Sequence, residues 1–186
     1  LENGLYRFDF IGAIEKIENL KLGIPGLLNV ENAVAAIAMA LLAGVKDDEI
    51  FNSLDKFKGI QRRFDIQVNT KDFIYIDDYA HHPSEIRTTL AAARARYGNR
   101  QIWAVWQPHT FSRTRMLQAE FCSAFESVDR VIVTEIFAAR ELAPEDGYSS
   151  QSLVSEMKKN QKMAGKTVDF VASLEDVKKF LQNHLG

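Results

Sequence analysis

The chain holds a single cysteine, Cys122, and only four prolines, and no apolar run comes near the roughly 20 residues a membrane-spanning helix requires. A lone thiol excludes an internal disulfide framework, and within Phe121-Cys122-Ser123-Ala124-Phe125 it reads as a small buried apolar side chain. No signal-peptide pattern opens at residue 1, so a reducing cytoplasm is the expected setting. Charge of either sign is also not in excess: 23 basic against 25 acidic residues leave a net charge of -2. Such a balance gives no field for nucleic acid or an anionic membrane, so the expected partners are small molecules. Internal repeats and low-complexity tracts do not occur. At 186 residues, 46% of them hydrophobic, the chain suffices for one large domain, or for one domain and a piece of another.

What is present concentrates at three strand ends. Asp72-Phe73-Ile74-Tyr75-Ile76 is β-branched and aromatic, as a buried strand should be, and it runs into Asp77-Asp78-Tyr79-Ala80-His81-His82-Pro83. Ile86, Leu90, Ala93 and Tyr97 then follow at helical spacing, with Pro83 suited to the first turn. Residues 101–106 repeat the arrangement, passing into Gln107-Pro108-His109-Thr110-Phe111-Ser112-Arg113-Thr114-Arg115 before a helix with Leu117, Phe121, Ala124 and Val128. Residues 130–134 do so again, passing into Glu135-Ile136-Phe137-Ala138-Ala139-Arg140-Glu141. Loops that leave the carboxyl ends of strands are where open α/β sheets bind ligands. If the three strands lie parallel, joined by right-handed crossovers, their polar loops share one edge of one sheet.

Residues 60–186 read β, β, α, β, α, β, loop, α, β, α, ending in a strand over Thr167 to Val171 and a helix opened by the capping box Ser173-Leu174-Glu175-Asp176. That alternation predicts an α/β fold, a mostly parallel sheet with helices on both faces. Residues 1–58 differ. They show strand-like stretches over Leu5 to Phe10 and Glu15 to Leu22, a turn at Gly23-Ile24-Pro25-Gly26, and helices near 30–43 and 47–56, the first with a stripe of Val30, Val34, Ile37 and Leu41. So small an α+β segment makes a poor independent core, and the expectation is the incomplete end of a larger domain.

Four stretches come in order: Gly26-Leu27-Leu28-Asn29-Val30-Glu31-Asn32, Gly59-Ile60-Gln61-Arg62-Arg63-Phe64, Asp77 to Pro83, and Gln107 to Arg115. Over about residues 20 to 142 the series resembles the Mur ligases of bacterial cell-wall synthesis. The resemblance implies that residues 1–58 are the C-terminal part of a central ATP-binding domain and that residues 59–186 form a Rossmann-like C-terminal ligase domain. It implies ATP-dependent ligation of L-alanine to the carboxylate of UDP-N-acetylmuramate through an acyl phosphate, with ATP and Mg2+ as cofactors. The family's phosphate loop, G-x-x-G-K-[ST], has no counterpart in these residues. Most magnesium ligands are therefore expected upstream, and the chain alone is not expected to turn over. Two alternatives remain open: a recycling ligase that joins a preformed tripeptide to the same nucleotide, and a noncatalytic nucleotide-binding module.

The resemblance also implies roles, each with a plainer reading beside it. Asn29 and Asn32 would meet an adenine edge with paired donors and acceptors; read from the residues alone, Asn29 caps a helix. Leu28 stands where the family usually carries His. Of two arginines at the proposed domain junction, Arg63, beside the apolar anchor Phe64, is favoured over Arg62 as the nucleotide contact; read from the residues alone, they are a pair of surface arginines. Asp78 would accept hydrogen bonds from ribose hydroxyls. Tyr79 and His81 would face the muramyl side and the reacting centre, whereas His82, before Pro83, reads as a helix-start contact. A metal site on these adjacent Asp and His residues is not expected, because consecutive side chains of an extended segment diverge. His109 and Arg113 would hold the muramyl carboxylate or its acyl phosphate as charge develops; the plainer reading is a basic loop paired with acidic neighbours. Thr110 stands where many relatives carry a second basic residue. Tyr97, Trp103 and Trp106 are assigned to core and pocket wall, since no basic stripe accompanies them. Glu135 to Glu141 closes the third loop without individual assignments.

Overall fold

The computed structural model describes residues 5–13 and 15–185, so residues 1–4, 14 and 186 of the two expected domains lie outside the described residues. The chain divides into two compact units, one holding the residues up to Ala80 with Ala91–Gly98, the other His81–Leu90 with the residues from Asn99 on.

In the first unit, strands β1 (Arg7–Ile11) and β2 (Lys16–Lys21) pair antiparallel, with a register shift between Phe8 and Phe10. Alternation sends Phe10, Ile17 and Leu20 inward, where helices α1 (Leu27–Leu42) and α2 (Asp47–Lys56) add Ile37 and Ile50. The expected stripe on α1 is displaced at one position. Val30, Ala33 and Ile37 are buried and Leu41 packs at the margin, but Val34 is 40% exposed, because the smaller Ala33 takes the inward place one residue earlier. Helix α2 opens on Asp47, Asp48 and Glu49, the sign that suits the positive end of the helix dipole, and Glu49 accepts a hydrogen bond from the Lys46 N–H.

Gly23 joins this hairpin to the helices through a close approach. A Cβ there would lie 2.4 Å from the Phe57 carbonyl oxygen and 2.7 Å from that of Asp55. Backbone carbonyls cannot rotate aside as a side chain can, so Gly23→Ala is expected to destabilise the protein by about 1–3 kcal/mol. Urea unfolding measures it, and an unchanged midpoint would show that the approach relaxes freely.

The first unit also contains β3 (Asp65–Asn69) and β4 (Ile74–Asp77). Here the structure corrects the expectation of three parallel strands in one sheet. Strand β4 pairs antiparallel with β3 in a sheet of two. The reason is local: Thr70 N–H donates to the Phe73 carbonyl at 2.8 Å and Thr70 Oγ1 accepts from Phe73 N–H at 2.9 Å, closing a short turn whose loop entropy is small.

The parallel sheet belongs to the second unit, in the order β5 (Trp103–Trp106), β6 (Arg130–Val133), β7 (Thr167–Phe170). It is flanked by α5 (Gln118–Ala124), α6 (Ser150–Lys159) and α7 (Leu174–Leu185), in a mixed α/β arrangement. The middle strand is the apolar one. Val131, Ile132 and Val133 are fully buried, as a parallel strand covered on both sides must be. Trp106 packs on Phe121 and Phe125 of the α5 region, with ring centroids 4.6 and 5.2 Å apart, while Leu153 and Met157 of α6 complete the core. Trp103 lies at the sheet's start under the Arg130 guanidinium, 4.6 Å away, and Arg130 also binds Asp169 on the neighbouring strand at 2.7 Å. Cys122 is buried, as its apolar neighbours predict, and burial pushes its thiol up to about 11. Helix α3 (Pro83–Arg96) has residues in both units.

One element was not expected. Phe111–Met116, read as loop, forms a short helix, α4, ahead of α5.

Candidate functional site

In the first unit the loop before β3 and the loop after β4 are bound together by Asp78. Its Oδ2 accepts the Phe64 N–H at 2.7 Å and its Oδ1 the Ala80 N–H at 2.8 Å, while the Tyr79 N–H donates to the Arg62 carbonyl at 2.7 Å. These bonds hold a turn in which Arg62 and Phe64 take left-handed backbone angles, φ 59° and 49°, with the Phe64 side chain buried as an anchor. Asp78 is thus first a brace; each oxygen keeps a second lone pair for a ligand hydroxyl.

The exposed ring of Tyr79 carries two cations. The guanidinium carbons of Arg62 and Arg63 lie 4.7 and 5.9 Å from its centroid. Arg62 is also 3.8 Å from Asp77, whereas among the described residues Arg63 has no ion pair. Two like charges against one ring leave a positive spot that an anion would relieve.

On α1 the helix cap is Gly26, at φ 102° and without a side-chain bond, so Asn29 is not the cap read from the residues alone. It sits in the first turn with Nδ2 donating to the Pro25 carbonyl at 2.6 Å, because the chain enters the helix three residues earlier than the Asn29 position suggests. Asn32, almost one turn on, is exposed and makes no side-chain hydrogen bond among the described residues. Leu28 is also exposed.

The second unit begins at His81. Glu85 of α3 reaches back to the His81 N–H at 3.0 Å and the His82 N–H at 3.2 Å, and His82 Nδ1 accepts the Ser84 N–H at 3.3 Å. His82 therefore serves as a helix-start contact. The His81 ring, half-exposed, lies with Nδ1 3.4 Å from the Glu85 carboxylate.

Beyond β5 and β6 the two following loops continue side by side. The Phe137 N–H donates to the Pro108 carbonyl at 2.8 Å, His109 and Phe137 form a parallel backbone bridge, and their rings stack with centroids 5.3 Å apart. Glu141 then closes over the start of α4. Its carboxylate accepts from Thr110 Oγ1 at 2.6 Å, from Ser112 N–H at 2.9 Å and from Ser112 Oγ. The Ser112 hydroxyl, then the Thr110 hydroxyl and backbone N–H groups, hold this carboxyl down to about 2. Thr110 thus works as a donor to Glu141.

Arg113 sits on α4, half-buried, and its guanidinium has no ion pair or hydrogen bond among the described residues. Arg115 differs. It binds Asp146 at 2.7 Å and lies 4.6 Å over the Tyr148 ring, so the acidic-neighbour reading fits Arg115 and not Arg113. A cleft of about 580 Å³ in the same unit, lined by Arg115, Gln118, Cys122, Glu156 and Lys159, contains none of the candidate residues.

The structure therefore gathers Arg63, Asp78 and Tyr79 in one unit and places His81, His109 and Arg113 in the other. Sequence reasoning named the segment ending at Glu141 but gave that residue no role; its only signal was its place after a strand. Among the described residues no group of three or more His, Cys, Asp or Glu is arranged to hold a metal ion.

Comparison with known proteins places these features. Residues 62–185 match the family model described as Mur ligase, glutamate ligase domain. A UDP-N-acetylmuramate–L-alanine ligase of Alkaliphilus metalliredigens is 42% identical over 98% of this chain, and that of Flavobacterium psychrophilum is 42% identical over 89%. The chain spans only 38% and 37% of those two proteins, a little over a third of their length. Among solved structures, the UDP-N-acetylmuramate–alanine ligase of Thermotoga maritima aligns with a TM-score of 0.67 at 31% identity, covering 87% of this chain and 34% of that one. A murein peptide ligase of Psychrobacter arcticus aligns with a TM-score of 0.63 at 26% identity, covering 89% and 33%. With the family match spanning both parallel-sheet loops and the bracing Asp78, the chain belongs to the Mur ligase family.

Proposed function

We propose that the full-length protein joins L-alanine to the carboxylate of UDP-N-acetylmuramate at the expense of ATP, through an acyl phosphate, in the cytoplasm. The observation that carries this reading is the 42% identity to UDP-N-acetylmuramate–L-alanine ligases across nearly all of the chain. Residues 1–58 are then the end of the central ATP-binding domain and residues 59–186 the C-terminal ligase domain. No helix among the described residues is long and apolar enough to cross a membrane.

Each candidate residue has a task its surroundings permit. Arg63, free of carboxylate partners among the described residues, offers a planar fork to nucleotide phosphate. Asn32, exposed and uncommitted, suits an adenine edge better than Asn29, which spends one amide hydrogen on Pro25. Asp78 takes ribose hydroxyls on its spare lone pairs, and Tyr79 faces the muramyl group. On the other unit His109 and Arg113 neutralise charge on the carboxylate as it becomes an acyl phosphate, with His81 near the reacting centre. ATP supplies the phosphoryl group, and most of the magnesium ligands belong to the upstream part of the full-length protein.

Phosphate release by the full-length protein with ATP and UDP-N-acetylmuramate, offered L-alanine or a tripeptide as the amine, tests this. Release with L-alanine is expected. Release with the tripeptide alone would assign the recycling reaction of murein peptide ligases, and no release with either would leave a noncatalytic nucleotide-binding module.

A further inference from the structure

We propose that Glu141 is a positioning residue: it places the Arg113 guanidinium for the carboxylate substrate by capping α4 from the neighbouring loop. This inference rests on the ligase reading above. Helix α4 has six residues, too few to persist unaided, and its own cap residue Thr110 makes no capping bond to the helix backbone. The cap comes instead from 29 residues further along the chain, through the Glu141 bond to the Ser112 N–H. Thr110 and Ser112 hydroxyls add two more donors to the same carboxylate.

The charge logic is specific. A carboxylate beside an anion-binding arginine ordinarily pairs with it and spoils it. Here the Glu141 charge is met by hydroxyl and backbone donors, and Arg113 has no ion pair among the described residues. The donors at the start of α4 are filled by an internal anion, so an incoming carboxylate meets the arginine without competition from the helix terminus. Phe137 steadies the other end of the segment by stacking on His109. One loop, residues 137–141, thus controls both residues that face the carboxylate.

The test compares the full-length wild-type protein with E141A and E141Q by steady-state kinetics for each substrate and by hydrogen exchange at Phe111 and Ser112. E141A is expected to raise KM for UDP-N-acetylmuramate by about tenfold or more and to lower kcat in the same direction as Arg113→Ala, with KM for ATP within about twofold, because only the arginine's aim is lost. E141Q should fall between, since its amide oxygen still accepts from one donor while its NH2 opposes the Ser112 N–H. An equal rise in every KM, or no rise in that for UDP-N-acetylmuramate, overturns the proposal. Should E141A fail to fold, the same split in E141Q decides. If the wild type ligates nothing, the ligase reading falls by itself; Glu141 capping is then upheld by faster exchange at Phe111 and Ser112 in E141A and overturned by unchanged exchange.

Discussion

Alanine at position 113 is expected to lower turnover of the full-length enzyme at least about tenfold, equivalent to roughly 1.4 kcal/mol of lost transition-state stabilisation. The reason is electrostatic. Arg113 is half-buried and unpaired among the described residues, so its charge is not already spent on a carboxylate as that of Arg115 is on Asp146. A charge held ready in a partly desolvated place acts most where negative charge grows during reaction, and the acyl phosphate of the proposed reaction is such a place. Arg113→Lys should recover part of the loss, because it restores the charge without the bidentate fork. The measurement is kcat for ATP-dependent phosphate release at saturating substrates; an Arg113→Ala enzyme with wild-type turnover would remove this residue from the site.

Phe121→Ala should produce the largest loss of stability, about 3–5 kcal/mol. The side chain has no exposed surface and packs on Trp106 at 4.6 Å, beneath the strand whose following loop carries His109. Removing it leaves a void that Trp106, itself wedged against Phe125, cannot fill without leaving its rotamer. Urea unfolding compared with the wild type gives the number, and a loss under about 1 kcal/mol would mean that the α5 face collapses readily. Phe121→Leu, keeping most of the volume, should cost less than half as much.

The sequence carried the elements well because they obey local rules. Strands β5 and β6 read as apolar runs, Pro83 and the Ser173-to-Asp176 box marked helix starts, and the polar stretches marked the strand ends. What it did not carry are arrangements decided between distant segments. The antiparallel β3–β4 pair was hidden because an apolar strand looks the same whichever neighbour it takes. Helix α4 was hidden because it is only six residues long and its capping bond comes from another loop: Thr110 is a residue type that opens helices, but its side chain makes no capping bond here. The bracing of Phe64 by Asp78 spans 14 positions and leaves no periodic trace, so the carboxylate was visible only as a ligand group. Arg113 and Arg115 look equivalent in the sequence; Asp146, 31 positions beyond Arg115, separates them.

The burial of Cys122 has a practical consequence for labelling. Cys122 is 4% exposed, and burial pushes its thiol up to about 11, so the thiolate is disfavoured at neutral pH even though the residue borders the cleft beside Arg115 and Gln118. A cysteine introduced on an exposed loop of this chain would react with maleimides or spin labels faster than Cys122. Reporters of movement at the β5 and β6 loops can therefore be attached without first replacing the native cysteine.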